Sequence, residues 1–129
     1  MRLSSPRVLI IDDDKATLLL LKLALERSGF SVLAASNWDE AADMVEFSAR
    51  YNRSIGVIVL DLMMPDRSGF DVLRALQAIL KPMPPVIMLT AVTGIEQQIT
   101  ARDLGVAKYI TKPTTPSKLI ENINALLNK

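Results

Sequence analysis

Five short apolar, β-branched runs recur along the chain: RVLII from Arg7, SVLAA from Ser31, GVIVL from Gly56, PVIML from Pro85 and AKYIT from Ala107. Near-continuous Val, Ile and Leu is the pattern of strands covered on both faces, so each run predicts a buried strand of a parallel sheet. The segments between them have helical spacing and end signals. Asp14 and Gly29 bracket a first helix over about Lys15 to Ser28. Asn37 and Glu40 have capping-box spacing for a second, and Ser68 with Asp71 opens a third. A fourth occupies roughly Gly94 to Leu104 before Gly105, and Thr115 followed by Pro116 opens the last. Strand and helix alternate five times at intervals that suit right-handed βαβ crossovers rather than a solenoid. LKPMPPV at 80–86 is the only proline cluster and reads as the turn from the third helix to the fourth strand. No linker interrupts the series, so residues 1–129 read as one domain, long enough for a proper core.

Composition narrows the chemistry. Half the residues are hydrophobic and 22% are charged, which argues against disorder. The formal net charge of +1 gives no general reason to expect nucleic acid or an anionic membrane as partner. The chain has no cysteine, so disulfides, thiolate nucleophiles and cysteine metal sites are excluded. It has no histidine either, which removes imidazole general-base catalysis, the usual zinc ligand sets and a phosphohistidine carried by this domain. Val8 to Ile11 is too short for the apolar core of a signal peptide, and no run approaches the roughly 20 apolar residues of a membrane helix. The expected compartment is the cytoplasm.

Open parallel α/β sheets place ligands at the carboxyl ends of their strands, near the point where the winding reverses. Asp12 and Asp13 end the first strand, Asp61 ends the third, Thr90 ends the fourth and Lys112 lies just past the fifth. In a flavodoxin-like (βα)5 sheet of order 2-1-3-4-5 the first and third strands are neighbours, which brings Asp12, Asp13 and Asp61 together. Three ionised carboxylates and one lysine leave two negative charges in a small cleft, and a divalent cation brings the sum to zero. With oxygen ligands only, magnesium is favoured. Asp14 reads as a helix cap.

At these positions the chain resembles the receiver domain of two-component response regulators, of the chemotaxis-regulator type. The resemblance covers essentially the whole sequence through VLIIDDD, VIVLDLMMPDRSG, VIMLTA and YITKP. It implies that Asp61 is the phosphoacceptor, that Asp12 and Asp13 hold Mg2+, and that Met63 contributes its backbone carbonyl to the metal. It further implies that Thr90 donates its hydroxyl to the phosphoryl group and that Lys112 pairs with the phosphoryl charge. The donor implied is a phosphohistidine on a histidine kinase or histidine phosphotransfer protein. The aspartate acts as a nucleophile and the acyl phosphate is labile, suiting a reversible signal. Such a domain catalyses only its own phosphorylation and dephosphorylation, and is not otherwise an enzyme.

The resemblance carries further expectations. Lys112-Pro113 is expected to be cis. Thr114 stands where many relatives have an aromatic residue, which bears on packing below the fifth strand and not on the chemistry. Tyr109 matches the aromatic that rotates inward when the Thr90 hydroxyl moves, making a switchable output face of the fourth helix, fifth strand and fifth helix. Its alternative is a half-buried aromatic with a wet hydroxyl. Met63 and Val92 flank the path of attacking water and are both apolar, so self-dephosphorylation is expected to be slow to moderate. In the first helix, Thr17, Leu20, Leu21, Ala24 and Leu25 form the stripe expected to face the sheet. Leu18 and Leu19 are expected contacts for the kinase's helical bundle.

Three competing readings are separable by sequence. A haloacid dehalogenase-type phosphatase needs a second Asp where Met63 stands. A flavodoxin-type FMN carrier needs a hydroxyl- and glycine-rich phosphate loop where this chain has three acids. A receiver-like binding module that ignores phosphorylation would have no use for the full acid, hydroxyl and lysine set. The first strand starts close to Met1, which suggests an N-terminal or stand-alone receiver, unless the chain is cut from a longer protein with an effector domain. No helix-turn-helix follows the fifth helix, so direct DNA binding is not expected. The output partner is left open.

Overall fold

The computed structural model describes residues 7–128. The reading of the leader segment before Arg7 and the outer limits of the 1–129 domain lie outside the described residues. Elements alternate in chain order: β1 (Arg7–Ile11), α1 (Lys15–Arg27), β2 (Ser31–Ala35), α2 (Trp38–Arg50), β3 (Val57–Leu60), α3 (Gly69–Ile79), β4 (Val86–Thr90), α4 (Ile95–Asp103), β5 (Lys108–Thr111) and α5 (Pro116–Leu127). The sheet is parallel throughout, in the order β2-β1-β3-β4-β5. This is the flavodoxin-like arrangement expected from the alternation.

Successive side chains of the central strands point to opposite faces, and each face has its own core. Leu9, Ile11, Ile58, Leu60 and Met88 pack with Leu73 and Leu76 of α3 and Val45 of α2. Val8, Ile10, Val57, Val59 and Ile87 pack with Leu21 and Leu25 of α1 and Leu119 and Ile123 of α5. β1, β3 and β4 are buried along their whole length. The two edge strands correct the expectation that every run is fully buried: most of β2 is half-buried and β5 is exposed at both ends. An edge strand has a neighbour on one side only, so its flanking helices shield it less completely.

The starts of α1, α2, α3 and α5 are held by side chains that satisfy otherwise orphaned amides, whereas α4 starts at Gly94 with no side-chain cap. Asp14 accepts from the Ala16 amide at 3.3 Å and from the Thr17 hydroxyl at 2.6 Å. Asn37 accepts from the Glu40 amide, Ser68 from that of Asp71, and Thr115 from that of Lys118. Glu40 departs from a standard capping box, because its carboxylate takes the Ser36 amide at 2.7 Å and the Ser36 hydroxyl at 2.8 Å. Gly29, after α1, has φ of 95°, the left-handed conformation that ends helices.

The packing face of α1 is rotated from expectation. Leu18, Leu21 and Leu25 are buried, whereas Leu20 is 59% exposed. Thr17 and Ala24 are only half-buried. Leu18, expected at the docking surface, belongs to the core with 8% exposure. A helix with leucine at 18, 19, 20, 21, 23 and 25 has little polar contrast to set its phase, so contacts with β2 and α5 decide it. The Lys112-Pro113 bond is cis, as expected, and Lys81-Pro82 is cis as well, which the sequence does not announce.

Candidate functional site

Ladder hydrogen bonds continue one residue past the strands and set the backbone of the site. The Asp12 amide donates to the Ala35 carbonyl at 3.1 Å, the Asp61 amide to that of Ile11 at 3.0 Å, and the Lys112 amide to that of Thr90 at 2.8 Å. Residues far apart in sequence are thereby brought together by the pairing of β1 with β3 and of β4 with β5.

One lysine joins two buried acids. Lys112 Nζ donates to Asp12 Oδ2 at 2.7 Å and to Asp61 Oδ2 at 3.0 Å. The other oxygens are oriented by backbone: Asp12 Oδ1 accepts from the Asp14 amide at 2.9 Å, and Asp61 Oδ1 from the Met63 amide at 3.0 Å. Asp13 completes the group, with carboxylate oxygens of Asp12, Asp13 and Asp61 all within 4.8 Å of one another. Asp12 and Asp61 are buried and Asp13 is exposed. The donor set is all oxygen and carries excess negative charge, which fits a hard divalent cation such as Mg2+.

Burial raises the Asp12 pKa, and the hydrogen bonds from Lys112 and Asp14 offset only part of that rise. Burial pulls the Lys112 pKa down, but its bonds to Asp12 and Asp61 outweigh this and hold it above the ordinary lysine value. The lysine is therefore a fixed positive charge at neutral pH.

Thr90 is wholly buried, and its Oγ accepts from the Val92 amide at 3.3 Å. The Tyr109 hydroxyl donates to the Val92 carbonyl at 2.7 Å, and the residue is half-buried. Burial, and then the Asp61 charge, raise its pKa. Thr90 and Tyr109 thus hold opposite ends of one residue in the β4–α4 loop. That link is not legible in the sequence, where only the apolar side chain of Val92 stands out.

Gly69, the last position of VIVLDLMMPDRSG, is a further residue whose role is set by close packing against the site. A Cβ there would collide with the Asp61 carbonyl oxygen and come within 2.7 Å of Leu62 Cα. Its amide donates to the Leu62 carbonyl at 2.7 Å, holding the start of α3 against the end of β3. Met63 is 63% exposed. On α1, Leu19 is exposed as expected, and it is joined by Leu20 and Leu23, all above half exposure.

Residues 8–124 match the family model described as the response regulator receiver domain. The chain is 35% identical over 123 residues to the transcriptional regulatory protein CpxR of Escherichia coli (strain K12), covering 95% of this chain and 50% of that protein. It is 33% identical to the alkaline phosphatase synthesis transcriptional regulatory protein PhoP of Bacillus subtilis (strain 168), covering 95% and 49%. The chain thus spans about half the length of these curated relatives. Among solved structures it is similar to a CheY-like response regulator receiver domain protein from Methanospirillum hungatei JF-1, with 31% identity, a TM-score of 0.84, and coverage of 97% of this chain and 95% of that one. The non-phosphorylated HemR receiver domain from Leptospira biflexa superposes with a TM-score of 0.85 at 27% identity, covering 97% and 96%. With its β2-β1-β3-β4-β5 sheet and its acids gathered at the strand ends, this chain belongs to the response regulator receiver domain family of two-component systems.

Proposed function

We propose that Asp61 accepts a phosphoryl group from a phosphohistidine donor, and that the domain signals through the resulting change in its α4-β5-α5 face. The observation that carries this reading is Lys112 bridging Asp12 and Asp61 at 2.7 and 3.0 Å beside a third carboxylate. In the reaction a carboxylate oxygen of Asp61 attacks phosphorus, the P–N bond breaks as the P–O bond forms, and the electron pair leaves with the imidazole. Lys112 can keep its charge on the transferred group, because it already touches the acceptor carboxylate. Asp12, Asp13, Asp61 and the Met63 backbone carbonyl would hold Mg2+. When bound, the ion supplies charge neutralisation for the phosphoryl oxygens.

The Thr90 hydroxyl accepts from the Val92 amide and keeps its own O–H to donate to a phosphoryl oxygen, so a shift of Thr90 toward the acceptor would pull on or break the bond to Val92. Tyr109 is tied to the same residue's carbonyl, so a displaced Val92 changes the constraint on the tyrosine. This is a two-state element that phosphorylation can bias. Donor docking fits the outer face of α1, where Leu19, Leu20 and Leu23 are exposed apolar residues on the helix that follows Asp12 and Asp13; Leu18, being buried, has no part in it. The proposed partners are a histidine kinase or a histidine phosphotransfer protein, and an output partner of the α4-β5-α5 face, with no direct contact to nucleic acid or membrane. In this reading the domain works in the cytoplasm and catalyses only its own phosphorylation and dephosphorylation. Among the described residues no helix is long and apolar enough to cross a membrane.

Incubation with acetyl phosphate, followed by intact mass measurement, tests the proposal. The expected result is a Mg2+-dependent gain of about 80 Da, one phosphoryl group, that is absent from Asp61→Asn. Equal labelling of both proteins would refute the assignment, and labelling of neither would favour a binding module indifferent to phosphorylation.

A further inference from the structure

At the opposite end of the sheet from the acids, the α2–β3 and α3–β4 connections enclose a groove of about 510 Å³. Ile55, Met83, Pro84 and Pro85 give it apolar walls, and Arg53 and Lys81 are its charged lining residues. No acidic residue lines it, and neither cation has an ion-pair partner among the described residues.

Behind one wall lies Arg7, only 7% exposed. Its Nη1 donates to the Arg53 carbonyl at 2.7 Å, its Nε has no hydrogen-bond partner, and it too lacks a carboxylate among the described residues. A buried guanidinium without a counter-charge is costly, and nearby anionic charge offsets that cost. Alongside, the last turn of α2 and the residue that caps it present Phe47 and Tyr51, 52% and 58% exposed, with ring centroids 4.5 Å apart. They neighbour Ser48 and Asn52, which line the groove. Exposed aromatics next to a recess are characteristic anchors for protein partners.

We propose that this groove docks an acidic, apolar segment of a partner protein, its carboxylates meeting Arg53 and Lys81 and its apolar side chains filling the proline-walled recess. The concavity favours a chain segment over a flat membrane surface. Ile55 and Ser48, both lining it, are each exposed by less than a tenth.

Fluorescence anisotropy with a labelled short peptide alternating glutamate and leucine tests the site. Binding should weaken with added salt and weaken by at least about tenfold in the Arg53→Glu/Lys81→Glu double variant, as expected for a charge-complementary interface. Tyr51→Ala should weaken it several-fold. All three substituted side chains are exposed, and the carboxylate introduced by Arg53→Glu would offer Arg7 a counter-charge, so thermal melting should show the variants folded. Absence of binding, unchanged affinity in the double variant, or equal binding of a lysine–leucine peptide would overturn the proposal. Retention on phosphatidylserine vesicles in place of peptide binding would overturn it too.

Discussion

Replacing Asp13 with Asn should change the sign of its effect on stability according to whether magnesium is present. The side chain is exposed, so its removal disturbs no core packing. Its carboxylate lies within 4.8 Å of those of Asp12 and Asp61, while Lys112 supplies one compensating charge to the cluster. Asp13 therefore faces a net excess of one negative charge. At that separation in a water-like dielectric, one unit of repulsion is about 0.9 kcal/mol, and screening reduces it further. The variant should thus be more stable than the parent in EDTA by roughly 0.5 kcal/mol. Mg2+ at a hundred times its Kd should stabilise the parent by about 2.7 kcal/mol, and the variant, short of one proposed ligand, should gain much less. Urea denaturation in EDTA and in MgCl2, at matched ionic strength, reads both differences. The two curves should exchange order between the conditions. A variant less stable in EDTA would show that Asp13 does not repel its neighbours, and one with the parent's full gain from Mg2+ that it does not hold the ion.

Three further outcomes follow from the geometry. Met63→Asn should shorten the lifetime of the phosphorylated domain, measured by decay of the added mass, because an amide can orient water where a thioether cannot; an unchanged rate would sink the idea. Gly69→Ala should cost about 1–3 kcal/mol in urea denaturation and reduce labelling of Asp61, since the added Cβ strikes the backbone of Asp61 and Leu62. The Ser36 amide, then its hydroxyl, hold the Glu40 pKa below its ordinary value of 4.5. A depressed carboxylate contributes stability above its unfolded pKa and loses it as pH falls through the folded value. Glu40→Gln should therefore be less stable than the parent at neutral pH, with the gap closing on acidification below about 4.5; a gap independent of pH would count against the Ser36 contact.

The fold is legible in the sequence because each level of signal agrees. Asp14, Asn37, Ser68 and Thr115 read as caps from residue type and spacing, and each accepts the expected amide bond. The site follows from topology, since adjacency of β1 and β3 is enough to gather acids separated by some fifty residues of sequence. What sequence cannot show depends on contacts without a periodic signature. The phase of α1 is lost in a run of leucines, and with it the place of Leu18 and Leu20. The sharing of Val92 by Thr90 and Tyr109 is a backbone arrangement that any residue but proline could make at 92. Burial of Arg7 without a counter-charge among the described residues is invisible in a strand that otherwise reads as ordinary. Gly69 does leave a signal, a glycine at the start of a helix where glycine is a poor former, and close approach to Asp61 accounts for it.

Whether Asp61 is the residue that carries the phosphoryl group is read out by borohydride trapping. Reduction of the Mg2+- and acetyl phosphate-treated domain converts an aspartyl phosphate to homoserine, which peptide mass spectrometry locates. The expected product is homoserine at position 61 and at no other aspartate. Homoserine at position 12, 13 or 66, or an adduct on a hydroxyl that resists borohydride, would contradict it.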